Sequence, residues 1–159
     1  MPCATSATEV KDLPWTDVLI SETLGNYALE ENIIESIEHA KRFLKPGGVI
    51  IPGKIRQFVC PVISNRIQKE IDVWDAGFDL HFDEAREISL HNMYVKTLKK
   101  EDLLETKDAI RQWDVVDFSK KNESVREGKQ VWKAERGMTV HGLALWWEAE
   151  LVPGVTLST

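Results

Sequence analysis

Two short β-branched runs, Val18-Leu19-Ile20 and Val49-Ile50-Ile51, enclose one stretch of helical periodicity, and this alternation restricts residues 17–51 more than any other feature of the chain. Compact apolar runs of this kind suit strands buried on both faces, as in a parallel sheet. Between them Ile33, Ile37, Ala40 and Leu44 recur at spacings of four, three and four, which predicts a helix with one apolar face. Glu30 and Glu31 fall in its first turn and Lys41, Arg42 and Lys45 in its last, as the helix macrodipole favours. Pro46-Gly47-Gly48 then stops the helix. The whole reads as a strand-helix-strand unit, for which a right-handed parallel crossover is expected.

The first strand delivers Ser21 and Glu22 at its carboxyl end, which is where ligands bind in open α/β sheets. A glycine-containing loop follows, and Glu31 stands at the entrance to the helix. Two carboxylates bracketing one turn offer enough acceptor lone pairs to hold a planar donor fork such as guanidinium. The same residues also admit a plainer reading, in which Glu31 complements a helix N-terminus and Glu22 is solvated. A glycosidase pair is a third possibility, although the loop spacing says little about carboxyl separation.

A boundary is expected after Pro52-Gly53, dividing the chain into residues 1–52 and 53–159. Residues 55–63 read as a longer strand interrupted near Pro61, residues 66–74 as a short polar helix, and residues 77–87 as a loop. Residues 88–98 suggest a strand, residues 99–104 a charged turn, and residues 113–118 a further strand. From Thr139 to Leu151, period-two alternation puts His141, Leu143, Leu145, Trp147, Ala149 and Leu151 on one face. On that apolar face His141 reads as a core histidine, since nothing beside it completes a nucleophile arrangement. The six tryptophans are expected to fill the core. Asp79, His81 and Asp83 fit no metal-ligand spacing, so no metal is expected.

With 159 residues, 43% of them hydrophobic and 29% charged, the chain falls in the globular class and holds no apolar run of membrane-spanning length. A net charge of −6 disfavours nucleic acid, whose binding depends on neutralising phosphates, and suits a basic peptide better. Cys3 and Cys60 lack the spacing of a zinc or redox motif, which points to free thiols in a reducing compartment. The first residues have neither a basic start nor an apolar core. The cytoplasm is the default compartment.

Ser21-Glu22-x-x-Gly25 followed by Glu31 resembles the double-E loop of the protein arginine methyltransferases. Around it, the segment from Asp17 to Glu22 is similar to the family's fourth sheet strand, and Leu44-Lys45-Pro46-Gly47-Gly48-Val49-Ile50-Ile51-Pro52 to its helix end and fifth strand. Val140-His141-Gly142-Leu143-Ala144-Leu145-Trp146-Trp147-Glu148 resembles a strand of the carboxy-terminal β-barrel, and Leu157-Ser158-Thr159 the segment before a Thr-His-Trp loop. The likeness runs from about Glu9 to the last residue. It implies an α+β chain, with a partial Rossmann-like unit followed by a mostly antiparallel, barrel-like domain.

The resemblance assigns Glu22 and Glu31 to the guanidinium of a peptidyl arginine, which would receive a methyl group from S-adenosylmethionine. It also implies an incomplete cofactor site. The nine glycines include no Gly-x-Gly, and the glycine-rich loop, the acid after the second strand and the upstream covering helix of the family are not matched. Thr8 and Glu9 are the candidates for cofactor contact, with Thr8 about where the family often has a glutamate near the adenine. The sequence thus resembles the substrate-side half of an arginine methyltransferase, inactive alone and binding no cofactor by itself. Thr23 replaces a common tryptophan, and Ile33 stands where members making asymmetric dimethylarginine usually carry methionine. The alternative is a non-catalytic interaction module, dimerising through an arm at about residues 65–95 in which Arg66, Trp74 and Phe78 are candidate interface residues.

Overall fold

The computed structural model describes residues 14–76, 81–106, 108–134 and 137–159. The elements are β1 (Thr16–Ile20), α1 (Ile33–Ala40), β2 (Leu44–Ile51), β3 (Lys54–Val62), α2 (Asn65–Ile71), α3 (Asp83–Leu90), β4 (Arg111–Asp117), β5 (Gly142–Val152) and β6 (Val155–Ser158). This is the mixed α and β class that the sequence implies. The chain divides into two compact units: one holds the described residues through Phe58 with Gln112–Gln130 and Leu145–Thr159, the other those of Val59–Arg111 and Val131–Ala144.

In the first unit β1 pairs in parallel with β2, Val18 opposite Val49 and Ile20 opposite Ile51, completing the expected strand-helix-strand unit. Thr16 faces Leu44, so two steps along β1 correspond to five along β2. The Lys45-Pro46-Gly47-Gly48 segment forms this irregularity in the strand rather than ending the helix. Helix α1 has already closed at Ala40, a 3-10 turn follows over Lys41–Phe43, and Leu44 is extended. The reason lies in Pro46, which denies a helix its N–H and biases Lys45 away from helical geometry.

Buried Ile33, Ile34 and Ile37 turn one face of α1 onto a core formed with Leu19, Leu24, Ala28, Ile55, Val116, Phe118, Trp147 and Ala149. Each such large aliphatic side chain contributes roughly 1.5–3 kcal/mol by leaving water. Strands β4, β3, β5 and β6 lie in that order in a sheet, with β5 and β6 antiparallel. Burial of β1 on both faces is not what forms. Leu19 alone is buried, while Val18 is 43% and Ile20 72% exposed, because only the face of β1 that carries Leu19 packs on the core. Of the six tryptophans only Trp147 joins the core; Trp15 is exposed and the others are half-buried. Trp146 stacks on Phe58 with ring centroids 5.6 Å apart.

In the second unit β3 continues through Pro61 without interruption, and the Pro61 carbonyl accepts the Leu104 N–H at 2.9 Å. Cys60 is buried in this strand with its thiol free. Helix α3 forms where the sequence suggested a loop and then the start of a strand. It buries no residue, so apolar periodicity could not announce it. Polar contacts hold it instead: Arg86 forks onto Asp72 at 2.7 and 3.1 Å, and Trp74 Nε1 donates to Ser89 Oγ at 2.8 Å. Residues 93–99 carry no regular structure in place of the expected strand. His141 is half-buried rather than in the core, and lines a hollow of about 410 Å³ with Asn65, Met138 and Thr139. Its strand begins only at Gly142, and Leu143 and Leu145 on its supposed apolar face are exposed.

Candidate functional site

The connection over residues 21–32 is built by a few local contacts. Ser21 donates its N–H to the Ile51 carbonyl at 2.9 Å, extending the β1–β2 ladder by one bond, so Glu22 leaves directly from the end of the sheet. Ser21 Oγ and Thr23 Oγ1 share a 2.9 Å hydrogen bond, and the Leu24 N–H turns back to the Glu22 carbonyl at 2.7 Å. Leu24 and Ala28 then enter the core. Their burial ties down a loop whose intervening residues remain accessible.

Three left-handed residues shape the turn: Gly25 at φ +49°, Ala28 at +32° and Asn32 at +58°. Gly25 is the one whose side chain must be missing, because a Cβ would meet Glu30 Oε1 at 2.5 Å. Glu30 folds back over it and accepts the Asn26 N–H at 2.5 Å. On its other side the Asn26 carbonyl accepts the indole N–H of Trp147 at 3.3 Å.

Glu22 and Glu31 occupy the two ends of this loop, both exposed, and their carboxylates make no hydrogen bond or ion pair to any described residue. Their acceptor lone pairs are therefore available to a ligand. Glu30 and Glu31 precede α1 instead of forming its first turn, where the acid is Glu35. This weakens the helix-dipole explanation for Glu31, whose effect falls off within the first turn.

Beneath the loop lies a polar cluster within the same unit. Tyr27 is half-buried, and burial together with the charge of Asp114 pushes its hydroxyl above the ordinary tyrosine range. Burial opposes the charge of Asp114, but it is held below the usual carboxylate range by Arg126, which forks onto it at 2.5 and 2.9 Å, and by Gln57 at 3.0 Å. Gln57 is wholly buried, and its Oε1 has no partner among the described residues. Asn26, Glu30, Trp147, Asp114 and Arg126 were absent from the sequence-based site. Only Trp147 carried a signal, its shared face with Ala149 on an alternating strand; the other pairings join residues with no telling spacing.

Thr8 and Glu9 lie outside the described residues. Among the described glycines of this unit, Glu30 covers Gly25, Leu44 and the Asp17 carbonyl crowd Gly48, and Trp113 packs on Gly128, while Gly47 and Gly154 face open space. Among the described residues no group of three or more His, Cys, Asp or Glu is placed to hold a metal, and no helix is long and apolar enough to cross a membrane.

No protein-family model matches the chain. Among curated proteins it is 27% identical over 150 residues to the probable protein arginine N-methyltransferase 6.1 of Oryza sativa subsp. japonica, covering 89% of this chain and 37% of that protein. It is 26% identical over 167 residues to protein arginine N-methyltransferase 6 of Xenopus laevis, covering 97% and 49%. Over 78 residues it is 35% identical to protein arginine N-methyltransferase 5 of Oryza sativa subsp. indica, covering 48% and 12%. Among solved structures, a chain of the Trypanosoma brucei PRMT1 enzyme-prozyme heterotetrameric complex with AdoHcy shares its fold, with TM-score 0.73, 19% identity and coverage of 97% and 50%. Arabidopsis thaliana protein arginine methyltransferase 10 matches with TM-score 0.60, 19% identity and coverage of 91% and 48%. The chain spans less than half the length of these curated relatives. By sequence and by fold, its similarity is to protein arginine N-methyltransferases.

Proposed function

We propose that this chain is the substrate-side portion of a protein arginine N-methyltransferase, in which Glu22 and Glu31 together grip the guanidinium of a peptidyl arginine. The observation carrying this reading is the pair of exposed, unpartnered carboxylates at the two ends of a loop whose middle is anchored in the core. Arginine is charged at any ordinary pH and its lone-pair density is delocalised, so it is a poor nucleophile. Two carboxylates accepting its N–H groups fix the guanidinium plane and draw positive charge away from the nitrogen that is to be methylated. That contribution is orientation and preorganised electrostatics, without a covalent intermediate. In the complete protein S-adenosylmethionine supplies the methyl group.

Residues 1–52 belong in this reading to the methyltransferase domain and residues 53–159 to a barrel-like substrate domain. Free Cys60 is consistent with a cytoplasmic protein. This chain alone binds S-adenosylmethionine weakly or not at all, and transfers no methyl groups. Titration by NMR with acetyl-Gly-Gly-Arg-Gly-Gly-amide should shift the amides of residues 21–32, the lysine analogue should not, and Glu22→Gln or Glu31→Gln should remove the response. Equal responses to the arginine and lysine peptides would overturn the clamp. Tight S-adenosylmethionine binding by the chain, measured by calorimetry, would overturn the missing-site claim.

A second reading, a non-catalytic interaction module, is favoured by one observation. In the second unit Val73, Ile88, Met93 and Val95 are all more than half exposed, and exposed large apolar side chains are what an interaction surface needs. Arg66 and Trp74 are engaged within that unit by Asp102 and Ser89, and Phe78 lies outside the described residues.

A further inference from the structure

We infer that Glu30 and Trp147 are positioning residues that lock the Asn26 peptide from its two sides and so set the loop that carries Glu22 and Glu31. The inference rests on the clamp reading for its functional meaning. Its structural part stands on contacts of its own.

Three acids occupy this short loop, and only their partners tell them apart. Glu22 and Glu31 have no partner among the described residues, whereas Glu30 spends Oε1 on the Asn26 N–H at 2.5 Å. A carboxylate committed to a backbone donor makes a charge-assisted bond, stronger than a neutral one. It is correspondingly less available to a ligand. Its stem also lies against Gly25, where no other residue leaves room for it. The bond therefore joins the last acid before Glu31 to the peptide in the middle of the loop.

The second half of the lock comes from β5. Trp147 is 4% exposed, packed in the core with Ala28 and Ile33 as neighbours in one cluster, and its indole N–H reaches the Asn26 carbonyl at 3.3 Å. A buried indole donor calls for an acceptor, and this loop carbonyl supplies it. Asn26 thus has both faces of its backbone fixed, the N–H by Glu30 and the C=O by Trp147. Both glutamates proposed to grip guanidinium lie within five residues of that fixed point, so a rigid middle limits how far either carboxylate can wander. Preorganisation of that kind is what orientation-based catalysis requires.

The full chain carries the test, with two readouts. Amide hydrogen exchange of Asn26 reports the lock directly, and the arginine pentapeptide titration reports its consequence. Glu30→Ala and Trp147→Phe should each accelerate Asn26 exchange and weaken the peptide response by about tenfold, the scale of losing one hydrogen bond, charge-assisted for Glu30. Glu30→Gln keeps an acceptor oxygen but no charge, and should rescue both readouts to within about twofold of the unsubstituted chain. The Phe substitution keeps an aromatic ring but loses the N–H together with part of the indole, so Asn26 exchange is read against the buried amides of α1, which a general loosening of the core would also accelerate. Unchanged Asn26 exchange in Glu30→Ala and Trp147→Phe would overturn the lock. A Glu30→Gln loss as deep as that of Glu22→Gln would make Glu30 a third guanidinium ligand and also overturn the proposal. If the unsubstituted chain gives no arginine-specific response, the clamp reading fails, yet Asn26 exchange still decides the lock separately.

Discussion

At Gly25 the backbone is left-handed and the Glu30 side chain already fills the place of a Cβ. Gly25→Ala should therefore destabilise the first unit by about 1–2 kcal/mol, the scale of forcing a side chain into that conformation, as read by urea denaturation. Arg126→Met leaves Asp114, a side chain 8% exposed, with Gln57 as its remaining side-chain partner. Loss of a charged hydrogen-bond partner beside a buried carboxylate should cost roughly 2–3 kcal/mol, again by denaturation. Individual residues were unevenly legible. Glu22, Gly25 and Glu31 stand at spacings that can be read along the chain, and their place on one loop follows from the strand before them and the helix after. Asn26, Glu30 and Trp147 could not be joined that way, because the Trp147 contact spans 121 positions and a backbone carbonyl has no sequence signature.

Among the elements, the strand-helix-strand pattern was readable because Ile33, Ile37 and Ala40 and the two β-branched runs follow the periods of helix and strand, although Leu44, read with the helix, begins β2. Its edges were less so. The helix closes at Ala40, several residues before Pro46, and β1 leaves Val18 and Ile20 exposed because burial of a strand face depends on a neighbouring layer that its own residues do not encode. Helix α3 was missed for the opposite reason, since ion pairs and a tryptophan hydrogen bond hold it without an apolar face. Around α2 the anchoring acid is Asp102, which accepts from Arg66 and from the Lys99 N–H at 2.8 Å. The Arg66 bond first, then that of Lys99, holds its carboxyl at about 2 against an ordinary 3.8. The folded form binds this proton less readily than the unfolded chain. The stabilisation is thus complete above about pH 4 and fades as the pH falls through about 2. Denaturation followed between those values should show that loss, and Asp102→Asn should flatten it.

Across the whole molecule, the family likeness extends over most of this chain but less than half of the relatives that it matches along its length. The glutamate spacing and the lack of Gly-x-Gly could both be read along the chain, and the roles they suggest remain the proposal. The division of the chain was harder to read, because β3 and β5 each pass from one unit into the other. The role proposed for Glu22 and Glu31 is to grip guanidinium. Its most direct test joins this chain to a cofactor-binding half of the family and measures transfer of labelled methyl from S-adenosylmethionine to an arginine peptide. Glu22→Gln and Glu31→Gln should each lower the rate by at least about 100-fold, the usual effect of removing one preorganised electrostatic contact. Turnover retained in both variants would contradict it.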